Sequence, residues 1–150
     1  MRDAVAATGL QFEELDEERA MLLGCLSALQ RLQRGGRLSR QEHLCETSAW
    51  RGKLEELKEL REKGCPWDTY TCEYAAFGGH LEVLQWARAN GCPWDEDTCM
   101  AAARAGQLEV LKWLHANGCP WDKDTLIYAR DSGHLEVVNW AIANGCPEEQ

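Results

Sequence analysis

Cysteine is the residue type in this 150-residue chain with the widest chemistry, because thiolates bind metal ions and form disulfides. Four of the eight cysteines lie in identical Gly-Cys-Pro triplets 27 residues apart: Cys65, Cys92, Cys119 and Cys146. In a stack of repeats, successive copies would stand about 10 Å apart, beyond disulfide reach. The gap from Cys65 to Cys72, or from Cys92 to Cys99, is longer than the Cys-x-x-Cys spacing of zinc sites, and Leu126 interrupts that series. We therefore interpret Cys72 and Cys99 as core residues and predict neither a metal nor a cofactor, with a cysteine-based metal or redox protein as the less favoured alternative.

Histidines and carboxylates are the other residues that could carry catalysis. His80 and His134 occupy equivalent positions, but Gln107 replaces them in the unit between. No nucleophile, base and orienting acid recur at a consistent spacing, and there is no glycine-rich phosphate loop. The acid pair Asp95 and Asp97 is accounted for by helix capping. These observations predict a protein that is not an enzyme.

The 27-residue interval extends far beyond the cysteines, and it predicts the elements that position all these side chains. Asp97 precedes an alanine-rich run over 98–105 that ends at Gly106, which predicts a first helix capped by Asp97. Apolar residues at three- and four-residue spacing over 108–117 predict a second helix that ends at Gly118. One such pair cannot bury its apolar face alone, so neighbouring pairs must stack.

The predicted fold is all-α, a solenoid of four stacked helix pairs preceded by one amphipathic helix. Residues 1–36 form the amphipathic helix and linker, and residues 37–150 form the repeat domain. The boundaries of the four units are expected at about 39–64, 65–91, 92–118 and 119–147. The amphipathic helix is expected from about residue 11 to residue 33, on helically spaced apolar residues: Phe12, Leu15, Leu22, Leu26, Leu29 and Leu32.

The first and last units differ from the middle ones. Glu56 and Glu59 stand where later units have valine and tryptophan, which indicates an N-terminal capping repeat over 39–63. Ser39 and Glu42 form a capping box that should start a longer first helix. We expect the amphipathic helix to pack against that first helix, with self-association or partner binding as the alternatives. The apolar stripe of the last unit, which includes Leu135, has no polar cap after it.

Charge and hydropathy narrow the function classes. The net charge is −9, and all of the excess lies in residues 41–150, which carry nineteen acidic and ten basic residues. This balance disfavours nucleic acids and other phosphate-rich partners. We interpret the acidic side chains as a solvent-exposed face of the helices. No apolar segment is long enough to span a membrane, and no signal peptide is recognisable. We expect a soluble intracellular protein, cytoplasmic or nuclear, with reduced thiols.

Two segments carry a family resemblance: DTCMAAARAGQLEVLKWLHANG and GHLEVLQWARANG. They resemble the ankyrin repeat, whose helix pair reads Thr-Pro-Leu-His-x-Ala-Ala, then Gly-His-x-Glu-Val-Val and a closing glycine. The resemblance covers roughly residues 39–147. It implies stacked helix pairs, a brace between helices at His80 and His134, and binding of a protein partner. The units of this chain repeat every 27 residues, whereas ankyrin repeats are about 33 residues long. A Pro-Trp-Asp turn stands where the family has a longer β-hairpin finger.

The favoured function is protein–protein interaction through the surface of the first helices, where residues differ between units. In the ankyrin family the matching positions commonly contact partners. We predict eleven partner-binding residues: Trp50, Arg51, Thr69, Glu73, Phe77, Glu96, Met100, Arg104, Lys123, Ile127 and Asp131. The alternative is a structural spacer or assembly element that acts through the N-terminal helix.

Overall fold

The structure is a computed structural model that describes residues 16–22, 26–38 and 40–148. Within these ranges every regular element is an α-helix and there is no strand, so the all-α prediction is confirmed. The helices are α1 Glu17–Leu22, α2 Leu26–Arg34, α3 Glu42–Trp50, α4 Leu54–Glu62, α5 Thr69–Phe77, α6 Leu81–Ala89, α7 Glu96–Arg104, α8 Leu108–Ala116, α9 Lys123–Asp131 and α10 Leu135–Ala143.

The helices α3 to α10 form four pairs of a first and a second helix, and each helix has nine residues. The first helices α3, α5, α7 and α9 contact one another in order and share the most extensive helix–helix contacts of the described chain. Buried alanines such as Ala76 and Ala103 let their backbones approach closely. Each second helix packs on the first helix of its own pair.

The core runs the length of this array. Each second helix contributes buried apolar residues at three-residue spacing, as in Leu84 and Ala87, both fully buried. Cys72 and Cys99 are also fully buried, which confirms their interpretation as core residues. Trp86, Trp113 and Trp140 are partly buried and pack on the core, each edge-to-face with the tryptophan of the preceding turn.

The N-terminal segment differs from the single helix expected over 11–33. Its described part forms two helices, α1 and α2, which contact each other as a hairpin. Gly24 lies in the sequence between them, and glycine has low helix propensity. Leu29 and Leu32 of α2 are buried in the common core, and α2 contacts α3, as expected for packing within the chain. Phe12 and Leu15 lie outside the described residues, as does the side chain of Leu22.

Two predictions of where a first helix begins were wrong. The N-cap of α7 is Asp95, whose side chain accepts a hydrogen bond from the Asp97 backbone N–H at 3.0 Å, so the helix starts earlier than expected. Helix α3 begins at Glu42 with Gln41 as N-cap, which makes no side-chain capping bond, and α3 is no longer than the other first helices. Ser39, the other half of the predicted capping box, lies outside the described residues.

Side chains at the start of the second helices connect neighbouring pairs. His80 Nε2 donates to the Trp50 carbonyl at 2.8 Å, and Gln107 Nε2 donates to the Phe77 carbonyl at 3.3 Å. Each bond spans 30 residues and holds the end of the preceding first helix. Gln107 thus makes the same kind of hydrogen bond as His80, which explains why glutamine can replace histidine at this position.

The two ends of the array are covered differently. At the start, α2 lies across from Glu56 and Glu59 of α4, with a crevice of about 270 Å³ between them. At the other end, Leu135 of α10 is 69% exposed, whereas Leu81 and Leu108 at the same position are partly buried. The apolar stripe of the fourth pair is therefore uncovered in the described chain. None of the described helices has the length and apolar character needed to cross a membrane.

Candidate partner-binding groove

A groove of about 360 Å³ runs over the first helices α3, α5 and α7, with α1 at one side. Its described lining is mostly apolar and aromatic, and two of the described lining side chains are ionic. The residues that line it are Met21, Trp50, Tyr70, Glu73, Tyr74, Phe77, Met100, Ala101 and Arg104. Its volume falls in the range of pockets that bind small molecules or a few side chains.

The stacking of the first helices explains the shape of the groove. Tyr74, Ala101 and Tyr128 occupy the same position in three successive units. The small side chain of Ala101 leaves space that a tyrosine would fill. The groove therefore lies over α7, next to the rings of Tyr74 and Phe77 on α5. Tyr74 in turn packs on Trp50 of α3, with ring centroids 6.3 Å apart.

Aromatic side chains are unusually exposed on this face. Tyr70 is 45% exposed and Phe77 is 39% exposed, and both line the groove. Tyr128, 38% exposed, lies beside it, where the Arg104 guanidinium carbon is 5.8 Å from the Tyr128 ring centroid. Large exposed apolar surface of this kind is typical of interaction sites.

Glu73 gives the groove its electrostatic character. The pKa of Glu73 is raised to about 7, mainly by burial and in addition by the negative charges of Asp97, Asp95 and Asp68. Among the described residues, no side chain forms an ion pair or hydrogen bond with the Glu73 carboxylate. The groove therefore holds a partly desolvated acid without a counter-charge.

An ionic network holds the α1 side of the groove. Arg40 Nη2 lies 3.0 Å from both the Glu46 and Asp68 carboxylates, and His43 Nδ1 lies 2.7 Å from Glu17. Glu46 is almost fully buried, and this burial raises its pKa to about 7 against the opposing effect of Arg40. These contacts tie α1 to α3 and to the start of α5. They thereby position Met21, which also accepts a hydrogen bond from Thr47 Oγ1 at 2.9 Å.

The structure brings together five of the eleven residues predicted for partner binding: Trp50, Glu73, Phe77, Met100 and Arg104. The other six do not line the groove. Glu96, Lys123 and Asp131 are exposed elsewhere, and Arg51, Thr69 and Ile127 are half-buried. The sequence predicted one continuous patch of all eleven residues. The groove is smaller than that patch because it is confined to α3, α5 and α7.

Four lining residues were missed by sequence reasoning: Met21, Tyr70, Tyr74 and Ala101. A helix face includes positions i+1 and i+5 as well as i, i+4 and i+8, and Tyr70 and Tyr74 stand at those added positions relative to Thr69. The residue type at these positions differs between units, and this variation could have identified them. Tyr70, for example, aligns with an aspartate in each of the next two units. No signal pointed to Met21, because it lies outside the repeats.

The cysteines have a different geometry from the pairs considered for metal binding. The thiols instead lie in neighbouring pairs: Cys45 with Cys65, Cys72 with Cys92, and Cys99 with Cys119. The neighbouring thiol, and then burial, raises the pKa of one member of each pair: Cys45, Cys92 and Cys119. In the part of the chain that is described, no three His, Cys, Asp or Glu side chains are grouped as a metal site would require. The seven described cysteines are buried free thiols.

The thiols of the Gly-Cys-Pro triplets also link successive pairs. Each donates a hydrogen bond to the carbonyl of an N-cap residue 24 positions earlier, at the start of a first helix. The bonds run from Cys65 to Gln41, from Cys92 to Asp68, from Cys119 to Asp95 and from Cys146 to Asp122, with S···O distances of 3.3 to 3.5 Å. The recurrence of cysteine here therefore has a structural cause.

The groove offers contact chemistry: aromatic rings, two methionines and a desolvated carboxylate. Comparison of the chain with known protein families finds no match, and a search of curated proteins finds no similar sequence.

Proposed function

We propose that this chain is a non-catalytic, ankyrin-like repeat module that binds a protein partner through the groove over its first helices. The observation that carries the proposal is the groove itself, where aromatic side chains of α3 and α5 and the side chains of α7 surround one open space. Tryptophan, tyrosine and arginine are the residues most often found at the energetic centres of protein interfaces. Trp50, Tyr74 and Arg104 provide all three types.

The ankyrin-like character is supported by the regular alternation of first and second helices and by contacts between successive first helices. The positions that commonly contact partners in the ankyrin family include Glu73, Phe77, Met100 and Arg104, which the groove unites. The free state of the seven described thiols supports a reducing compartment, and we place the protein in the cytoplasm or nucleus on that basis.

The proposal is tested by capture of partners from cell extract with matched variants. The combination Phe77→Ala with Arg104→Glu changes the groove without removing a buried side chain. The combination Leu135→Ala with Lys53→Glu makes the same kinds of change at exposed sites away from it. We expect the groove variant to lose partners that the control variant retains, at unchanged helix content by circular dichroism. Equal recovery by both variants would reject the groove as the binding site.

The spacer alternative receives less support from the structure. It requires the N-terminal helices to offer their apolar stripe to another molecule, yet Leu26, Leu29 and Leu32 are buried in the common core. Deleting these helices would uncover that core, so a surface change is the better test. Ser27→Arg with Arg34→Glu alters only exposed residues of α2. Loss of assembly or partners in this variant alone would favour the alternative.

A further inference from the structure

The groove places aromatic rings beside an acid that has no cation. Glu73 has no ion pair within the described chain, and no described cation lies over the rings of Trp50, Tyr74 or Phe77. An uncompensated carboxylate next to ring faces is the chemistry that attracts an organic cation, because both present negative potential. An apolar occupant would instead leave Glu73 buried and unpaired, which is unfavourable.

The same chain already pairs cations with aromatic rings elsewhere. The guanidinium carbon of Arg61 lies 4.1 Å from the Trp67 ring centroid, and that of Arg88 lies 3.9 Å from Trp94. At the edge of the groove, Arg40 lies 5.5 Å from the ring of Tyr70. Within the described chain, the rings of Trp50, Tyr74 and Phe77 have no such cation, so they can accept one from another molecule.

We propose that the occupant of the groove is a basic segment of a protein partner, whose lysine or arginine side chain lies on the aromatic rings with its cation paired to Glu73. Lysine is included in both its unmodified and its Nε-methylated forms, since each carries the same charge. This inference rests on the proposed function and specifies the chemistry of the partner.

The charges around the groove support a cationic partner. The groups with electrostatic influence on Glu73 are Asp68, Asp95, Asp97 and the Tyr74 hydroxyl, and among the described residues only Asp68 of these has a salt bridge, to Arg40. The excess of acidic residues over 41–150 adds long-range attraction for a basic segment. Arg104, the cation among the lining residues, stacks near Tyr128 and makes no ion pair with Glu73.

The test uses the full chain and five pentapeptides, Ac-Ala-Ala-X-Ala-Ala-amide, in which X is lysine, Nε-trimethyllysine, arginine, norleucine or glutamate. Norleucine has the same carbon chain as lysine without the charge. Binding is followed by two-dimensional NMR through the Trp50 indole N–H and the amides of Glu73 and Phe77. We expect at least one cationic peptide to shift these signals with at least about fivefold higher affinity than the norleucine peptide, and no shift with glutamate.

Variants separate the carboxylate from the general charge of the protein. Glu73→Gln should weaken the cationic peptide at least about fivefold. Glu82→Gln removes the same charge from an exposed position on α6 and should leave the affinity unchanged. The affinity of the cationic peptide should also rise between pH 6 and pH 8, because the pKa of Glu73 is about 7 and only its ionised form pairs with a cation. Glu73→Gln should remove that rise.

Three results would overturn the inference. Equal binding of norleucine and cationic peptides would show that the groove selects apolar side chains, and the proposed function would still stand. Absence of groove shifts with every cationic peptide, or an equal loss in the Glu73→Gln and Glu82→Gln variants, would reject a cation site at Glu73. The proposed function fails separately, in the capture experiment with the Phe77→Ala and Arg104→Glu variant.

Discussion

Glu73 is the residue at which the proposed binding function and the stability of the fold conflict. Its carboxylate lies in the groove, partly removed from water and near three aspartates, and the folded chain provides no ion pair for it among the described residues. A side chain in this situation destabilises the folded state when it is ionised. Binding sites commonly retain such side chains at the expense of stability.

The pKa of Glu73 gives a prediction with a defined sign. Folding raises this pKa from the ordinary 4.5 to about 7, so the contribution of the protonated side chain to stability is fully present below pH 4.5 and is lost as the pH rises through 7. Glu73→Gln should therefore raise the free energy of unfolding at pH 8 by about 1 kcal/mol, a value that already includes the reduction by solvent screening. The same substitution should change the free energy of unfolding little near pH 4.5. Urea unfolding at both pH values measures this difference. A Glu82→Gln control should show no such pH dependence.

A second prediction at this scale concerns Arg88. Its guanidinium donates to the Cys92 carbonyl at 2.7 Å and stacks on Trp94. Arg88→Lys keeps the charge but loses the planar group that makes both contacts, so we expect a loss of about 1 kcal/mol in the free energy of unfolding. Arg130→Lys, at an exposed arginine paired with Glu148 at 3.5 Å, should be close to neutral. Similar losses in both variants would contradict a specific role for the stacked guanidinium.

At the scale of the element, the first helices have recurrent caps and short lengths. The side chains of Asp68, Asp95 and Asp122 each accept a hydrogen bond at 3.0 Å from the backbone N–H two residues on. A nine-residue helix is too short to be stable alone in water, so its cap and its packing both matter. These caps also set where α5, α7 and α9 begin, and hence which side chains of α5 and α7 face the groove.

Helix α7 offers a matched test of capping, because two aspartates stand at its start and only one is the cap. Asp95→Ala should lower the free energy of unfolding by about 1 kcal/mol through loss of the capping bond. Asp97→Ala, two positions later, should be neutral or slightly stabilising, because burial and neighbouring acids raise the pKa of Asp97. Thermal or urea unfolding distinguishes the two. The reverse order of effects would mean that the helix begins at Thr98, where the sequence pattern placed it.

At the scale of the whole molecule, stability depends on contacts between successive pairs. His80 and Gln107 hold the ends of α3 and α5, while thiols such as Cys92 hold the starts of first helices. Both kinds of contact join residues from different units. We therefore expect the contacts between successive pairs to break before the individual helices unfold.

Two glycines test this stacking directly. Gly106 and Gly133 have the same left-handed backbone, with φ of +74° and +78°. A Cβ at Gly106 would lie 2.6 Å from His134 Nδ1 of the next pair, whereas a Cβ at Gly133 would meet nothing within 4 Å. Gly133→Ala should cost about 1 kcal/mol from backbone strain, and Gly106→Ala at least about 1 kcal/mol more from the clash. Equal losses in urea unfolding would show that His134 does not cover Gly106.

Much of the fold follows from sequence rules that act within one helix or one turn. Predictions from these rules were accurate where the sequence repeats. The 27-residue period, the glycine stops and the apolar spacing predicted α5 to α10 to within a few residues, because these features act within one helix or one turn. The same rules found Glu73 and Phe77, since a helix face can be read from spacing. They misplaced the start of α7, because Asp95 and Asp97 are both good caps and only the geometry of the turn selects one.

The tertiary structure decided what lies beside what across units. Tyr74 and Ala101 share one groove because α5 and α7 stack in register, and Met21 joins them because α1 folds back over α3 through the network around Arg40. The pairing of Cys72 with Cys92 depends on the same stacking. These neighbours are 20 to 80 residues apart along the chain. Their contacts depend on the offset between packed helices, which no local pattern of residues encodes.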